Sequence, residues 1–180
     1  MRTTITTTLC AAAGTCALSL ATVGPVRADL NEWTSTGIGN VVNTLTADDS
    51  RFYAGSSAGL YFSENAGESW QRLAEPLIDH NILSLTVRPD GSQLFAGSHL
   101  GLQVSIDYGA TWTAIGAPGP GVMAIALGPS GTSYVYTGTF GRGVFVSADS
   151  GATWSASDDL MNAIVYALAT STVDAATVYA

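Results

Sequence analysis

The chain has 180 residues, 47% of them apolar and 11% charged, with a formal net charge of −8. That composition is too apolar for a disordered chain. An excess of 14 acidic over 6 basic residues repels phosphate backbones and excludes nucleic acid as an expected partner.

The first residues read as a secretory signal. Arg2 supplies a positive start, residues 9–23 are small and apolar, and Val26-Arg27-Ala28 is a small-x-small cleavage pattern. Cleavage is expected after Ala28, with 1–28 as signal peptide and a periplasmic or extracellular destination. The competing reading is a retained N-terminal anchor. No later stretch approaches the ~18 apolar residues of a membrane helix, so no span is expected after cleavage. Cys10 and Cys16 both fall in the signal segment, which leaves no disulfide framework and no thiolate metal site. Cleavage removes Arg2 and Arg27 and no acid. The bland consequence of a more acidic mature chain is solubility.

From residue 29 onward the chain repeats itself. Trp33-Thr34-Ser35-Thr36 matches Trp112-Thr113-Ala114-Ile115, the start of a fourth strand, so 33–38 is expected to be a closing strand. Ser63-Glu64-Asn65-Ala66-Gly67-Glu68-Ser69-Trp70 then recurs as Ser105-Ile106-Asp107-Tyr108-Gly109-Ala110-Thr111-Trp112. It recurs again as Ser147-Ala148-Asp149-Ser150-Gly151-Ala152-Thr153-Trp154, with 42 residues from Trp to Trp both times. Upstream, Gly59-Leu60, Gly101-Leu102 and Gly143-Val144 keep the same spacing, and Tyr53-Ala54-Gly55, Phe95-Ala96-Gly97 and Tyr136-Thr137-Gly138 align with them. Each period divides into four alternating runs bounded by turn residues. In the second they are 82–87, 93–98, 101–105 and 111–115. Four short strands per period of 40–50 residues is a propeller blade. The blades are expected at about 41–75, 82–117 and 122–158, with a partial one over 164–180, its first strand at 164–170. The fold class is all-β: an incomplete β-propeller of four-stranded antiparallel blades, about three and a half of a six- to eight-bladed ring.

The Ser-x-Asp-x-Gly-x-Thr-Trp pattern resembles the Asp-box, or BNR repeat, of sialidases, sortilin-like receptors, xyloglucanase-type glycoside hydrolases and photosystem II assembly-factor propellers. The resemblance covers almost all of 33–180 and implies that the box forms the hairpin between third and fourth strands. Turn chemistry agrees. Asp107, Asp149 and Asn65 accept bonds from turn N–H groups, and Gly67, Gly109 and Gly151 take positive φ. Trp70, Trp112 and Trp154 pack between blades, with Ser63, Ser105 and Ser147 opening the boxes. Asn at position 65 carries no charge, which favours a structural role over a catalytic or metal-binding one.

The pattern stops inside a second strand, and the expectation is a piece of a longer protein, or else a short one that closes by oligomerising. The open edge then offers a route to self-association. The face opposite the boxes is the expected ligand face. His80, His99, Phe140 and Arg142 are its binding candidates. An exposed loop histidine and a turn arginine are the bland alternatives. Asp79, Asp158 and Asp159 are the weak catalytic candidates, because a glycosidase needs two carboxylates across a cleft. The Arg-Ile-Pro motif that resemblance to a sialidase implies is absent, as is the Arg-rich patch of the assembly factors. No metal and no cofactor is expected. Two functions stand: a non-catalytic binding or scaffold propeller for a protein or glycan ligand, and a glycoside hydrolase whose catalytic set is partly elsewhere.

Overall fold

The computed structural model describes residues 38–73, 80–116, 119–157, 160–171, 174 and 177–180. The expected signal segment 1–28, the expected closing strand apart from Ile38, and the three candidate carboxylates Asp79, Asp158 and Asp159 lie outside the described residues.

The described chain forms consecutive antiparallel sheets. The first contains β1 (Val42–Ala47), β2 (Phe52–Ser56), β3 (Gly59–Ser63) and β4 (Gln71–Arg72). The second contains β5 (Ile82–Val87), β6 (Leu94–Ser98), β7 (Gly101–Ser105) and β8 (Thr113–Ile115). The third contains β9 (Val122–Leu127), β10 (Val135–Thr139), β11 (Val144–Ser147) and β12 (Ser155–Ala156). In each sheet the strands pair in chain order. The first strands stand side by side, β1 against β5 and β5 against β9. Sheets packed face to face and ordered outward from neighbouring first strands are blades of a β-propeller. Among the described residues there is no α-helix.

The fourth unit is slighter than the alternation predicts. Instead of one strand over 164–170, Ile164 bridges Phe140 and only β13 (Ala169–Thr170) pairs, with β14 (Val178–Tyr179). Thr170 Oγ1 reaches back to Leu127 O at 2.7 Å and ties this unit to the third blade.

The repeated glycine in the second strands marks the seam between blades. A Cβ on Gly55 would sit 2.6 Å from Ile82, one on Gly97 2.6 Å from Val122, and one on Gly138 2.5 Å from Val165. Each partner is a β-branched residue opening the next blade. Glycine inside a strand leaves room for that close approach. The apolar core lies in the same seams. Tyr53 and Leu60 of the first blade pack with Ile82, Leu85 and Leu94 of the second, with Trp112 against them. Phe95 and Leu102 pack with Val122 and Val135, with Trp154 against them. Trp112 and Trp154 therefore lie between blades, and all three indoles, Trp70 included, are half-buried rather than enclosed.

The three turns between third and fourth strands share one geometry. Ser105 Oγ accepts from Gly109 N at 2.7 Å and donates to Asp107 Oδ1 at 2.8 Å. Asp107 also accepts from Thr111 N at 2.8 Å and Thr111 Oγ1 at 2.5 Å. Ser147, Asp149, Gly151 and Thr153 repeat this arrangement. In the first turn Asn65 Oδ1 accepts from Ser63 Oγ and Ser69 N, while its Nδ2 donates to Ser69 Oγ. The bond to the hydroxyl is reversed and the turn is kept. Two successive residues take positive φ, Tyr108 at 58° and Gly109 at 92°, as in the mirror-image turns that suit strand twist. Ala66 and Ser150 do likewise at the same place. Gly109 also lacks space for a side chain, since a Cβ would lie 2.8 Å from Leu73 of the preceding blade.

Candidate functional site

Strand order sends the loops to two faces. The turns just described and the loops between first and second strands share one. The loops between second and third strands and those between blades share the other.

On that other face, each second strand ends in a hydroxyl. Ser56 Oγ donates to Gly59 O at 2.9 Å, Ser98 Oγ to Gly101 O at 3.3 Å, and Thr139 Oγ1 to Gly143 O at 2.8 Å. Each also accepts a backbone N–H, from Ala58, Leu100 and Arg142 respectively. All three are buried. Their hydroxyls close the turn, so the residues that follow them are the ones presented. These are His99 and Leu100 in the second blade, and Phe140 and Arg142 in the third.

The blades are laced together along this face by main chain. Gly121 N donates to His99 O at 3.1 Å, Phe140 N to Gly121 O at 2.8 Å, Val165 N to Thr139 O at 3.0 Å and Gly143 N to Ala163 O at 3.1 Å. The lacing fixes His99, Phe140 and the stretch after Leu160 relative to one another. Large apolar side chains stand out from it: Leu100 is 71% exposed and Phe140 59%. Met161, Ile164 and Tyr166 are exposed in the stretch after Leu160.

Arg142 lies between Gly141 and Gly143, both at positive φ. Its guanidinium stands 5.7 Å over the Phe145 ring and covers Gly119, where any Cβ would collide with Nη1. Gly143 has no room either, since a Cβ would lie 2.1 Å from Leu160 O. The guanidinium therefore lies on the loop that enters its own blade, while the backbone at Gly143 abuts the loop that enters the next. His99 is exposed. His80 differs: it is half-buried, and its Nδ1 has no hydrogen-bond partner among the described residues. The structure thus draws His99, Phe140 and Arg142 onto laced loops, and His80 lies in the loop that enters the second blade. No group of three or more His, Cys, Asp or Glu side chains gathers among the described residues.

One-residue register slips recur at the same end of the first strands, between Val42 and Thr44, between Ile82 and Ser84, and opposite Gly138 and Thr139. They free Asn43, Leu83 and Met123 from the ladder, and Asn43 Nδ2 uses this to donate to Ile82 O and Asn81 Oδ1, both at 2.8 Å. Strict alternation in the sequence conceals such bulges.

On the turn face, the half-buried Arg88 donates to Gln93 Oε1 at 2.7 Å, Thr132 O at 3.0 Å and Ser150 Oγ at 3.2 Å. It joins the second blade to the third, a role that its place before Pro89 did not reveal.

No protein-family model matches the chain, and no curated protein matches it. Solved structures do. An ancestral GH74 enzyme is 25% identical over 81% of this chain and 22% of its own, with a TM-score of 0.67. YCF48 bound to D1 peptide is 20% identical over 65% of this chain and 39% of its own, with a TM-score of 0.52. The extracellular domain of a putative one component system, BT4673 of B. thetaiotaomicron, is 19% identical over 67% of this chain and 17% of its own, with a TM-score of 0.55. The chain spans 22–24% of the length of the GH74 chains it matches.

Proposed function

We propose that the chain is part of an exported, non-catalytic propeller built from Asp-box repeats, which binds an extended protein segment or a glycan chain on the face bearing His99, Phe140 and Arg142. The observation that carries this reading is the lacing of that face, which holds exposed Phe140 and Leu100 and the loop of Arg142 on fixed backbone. Apolar platforms next to a planar cation are what interfaces use as anchors. The repeated turns support the Asp-box assignment, and the extracellular neighbour supports export.

The test is chemical-shift mapping of the 15N-labelled chain with two probes, a xyloglucan oligosaccharide and a pool of extended peptides. Shifts confined to 98–101, 119–123 and 139–143, lost in Phe140→Ala, are expected from one of them. Shifts confined to the turn face refute the assignment of the face. Mass spectrometry of exported protein tests the leader, with Asp29 as the expected first residue.

The second reading, a glycoside hydrolase, is favoured by the GH74 likeness at 25% identity. It predicts release of reducing ends from xyloglucan, abolished by Asp79→Asn or by Asp158→Asn with Asp159→Asn. No release, together with retained binding, selects the binding module.

A further inference from the structure

Arg51 and Arg88 both stand in loops joining the first and second strands of a blade, and both reach the turn of the following blade. The Arg51 guanidinium lies 5.0 Å over the Tyr108 ring. Arg88 Nη2 bonds Ser150 Oγ. Tyr108 and Ser150 occupy the same turn position one period apart. Gln93, which accepts from Arg88 Nε, is itself the residue aligned with Arg51. The two cations therefore occupy equivalent places in successive seams.

Their counter-charges differ. Arg51 pairs with Glu64 of its own blade's turn at 2.7 Å. One period later Glu64 is replaced by Ile106, which is 74% exposed. Arg88 makes no ion pair among the described residues, and its three acceptors are neutral. Asp90 is near enough to favour the charge somewhat, but its Oδ1 accepts from Ser92 N at 3.0 Å. Burial works against the charge and lowers the Arg88 pKa. A guanidinium has five N–H donors, and three are used here. It borders an open cleft of about 920 Å³ between the second and third blades, lined also by Ile106, Ser92, Thr132 and Ser133.

We propose that this cleft is a binding site for a carboxylated saccharide of the uronic acid class. The sugar carboxylate takes the place beside Arg88 that Glu64 holds beside Arg51. Arginine presents a planar fork that matches a carboxylate. The hydroxyls of Ser92 and Ser133 face sugar hydroxyls, and Ile106 offers an apolar side chain to the C–H face of the ring. The site lies on the turn face and is independent of the ligand-face reading.

The test is titration of the 15N-labelled full chain with trigalacturonate, galactotriose and acetate. Trigalacturonate is expected to shift 88–93, Ile106 and 130–133, more weakly as salt is raised, and galactotriose to leave them unmoved. Ile106→Glu restores a resident carboxylate. It is expected to weaken trigalacturonate binding by at least about tenfold, since a like charge then faces the ligand, with no loss of melting temperature. Arg88→Gln is expected to abolish binding; if it also loosens the seam, Ile106→Glu still decides. The proposal is overturned if wild type does not bind trigalacturonate, if galactotriose binds as well, or if Ile106→Glu binds undiminished. Acetate shifting the same residues as strongly as the trimer overturns the saccharide assignment.

Discussion

Replacing Gly97 by alanine tests the inter-blade seam directly. A Cβ there would lie 2.2 Å from Ser84 Oγ, 2.6 Å from Val122 Cγ1 and 2.9 Å from Val122 O. The last neighbour is main chain of the next blade, and Ser84 Oγ is already committed to Val122 O at 3.3 Å. Val122 O cannot move without its strand, and Ser84 Oγ can turn aside only by giving up its bond. Overpacking of this kind costs about 1–3 kcal/mol, and the upper end fits because backbone must shift. Alanine recovers about 0.4–1 kcal/mol by restricting the unfolded chain. The net expectation is a loss of about 2 kcal/mol. Gly116 is the control: it has negative φ and nothing within 4 Å of an added Cβ, so Gly116→Ala is expected to be neutral or slightly stabilising. Urea unfolding of the two variants, compared by midpoint at unchanged slope, measures the difference. If Gly97→Ala is no less stable than Gly116→Ala, the seam does not pack as described.

The turns make stability depend on acid. Bonds from Thr153 hold the Asp149 carboxyl down to about 2, against 3.8 for a free one, and Thr111 lowers Asp107 in the same way. A depressed carboxyl stabilises the fold above its free value and ceases to do so as the pH falls through the folded value. Stability should therefore decline between about pH 4 and 2, and Asp107→Asn with Asp149→Asn should flatten that slope in pH-dependent thermal unfolding, because Asn65 already forms the turn without titrating. The indoles separate by their hydrogen bonds. Trp112 Nε1 donates to Gly109 O at 2.9 Å, whereas Trp70 Nε1 is buried with no partner among the described residues, so Trp112→Phe should cost about 0.5–1.5 kcal/mol more than Trp70→Phe in urea unfolding. Thr137 stands where the other blades have Ala54 and Ala96, and its buried hydroxyl has no partner among the described residues. Thr137→Val keeps the shape and should raise the urea midpoint, by about 1–2 kcal/mol in stability.

The repeat carried most of the fold. Gly59, Gly101 and Gly143 fall at the start of third strands or just before, and the repeated Ser-x-Asp-x-Gly motifs fall on the turns, because both depend on short-range geometry that a 42-residue period displays. The seam was legible only in part. The glycines of Tyr53-Ala54-Gly55 and its copies were visible as a pattern, but their cause, Ile82 and Val122 entering from the next blade, is a contact between distant residues. Trp112 packs against the seam, yet the extent of its burial depends on how far the blades splay. The hydroxyls of Ser56, Ser98 and Thr139 close turns, and their regular recurrence one period apart was the signal for it. Arg88 was hidden because its partners, Thr132 and Ser150, are 44 and 62 residues away. The thinness of the fourth unit was invisible because 164–170 alternates well and pairs little.

The central claim is that the repeated Ser-x-Asp-x-Gly turns hold the blades, and that the laced loops bind the extended segment or neutral glycan. Phe140→Ala and Asp149→Ala, compared for thermal unfolding and for binding to an immobilised array of neutral glycans and extended peptides, measure this directly. Phe140→Ala is expected to lose array binding at an unchanged melting temperature. Asp149→Ala is expected to melt earlier and to keep binding when assayed below its transition. Binding lost in Asp149→Ala at unchanged stability, with Phe140→Ala still binding, would contradict the account.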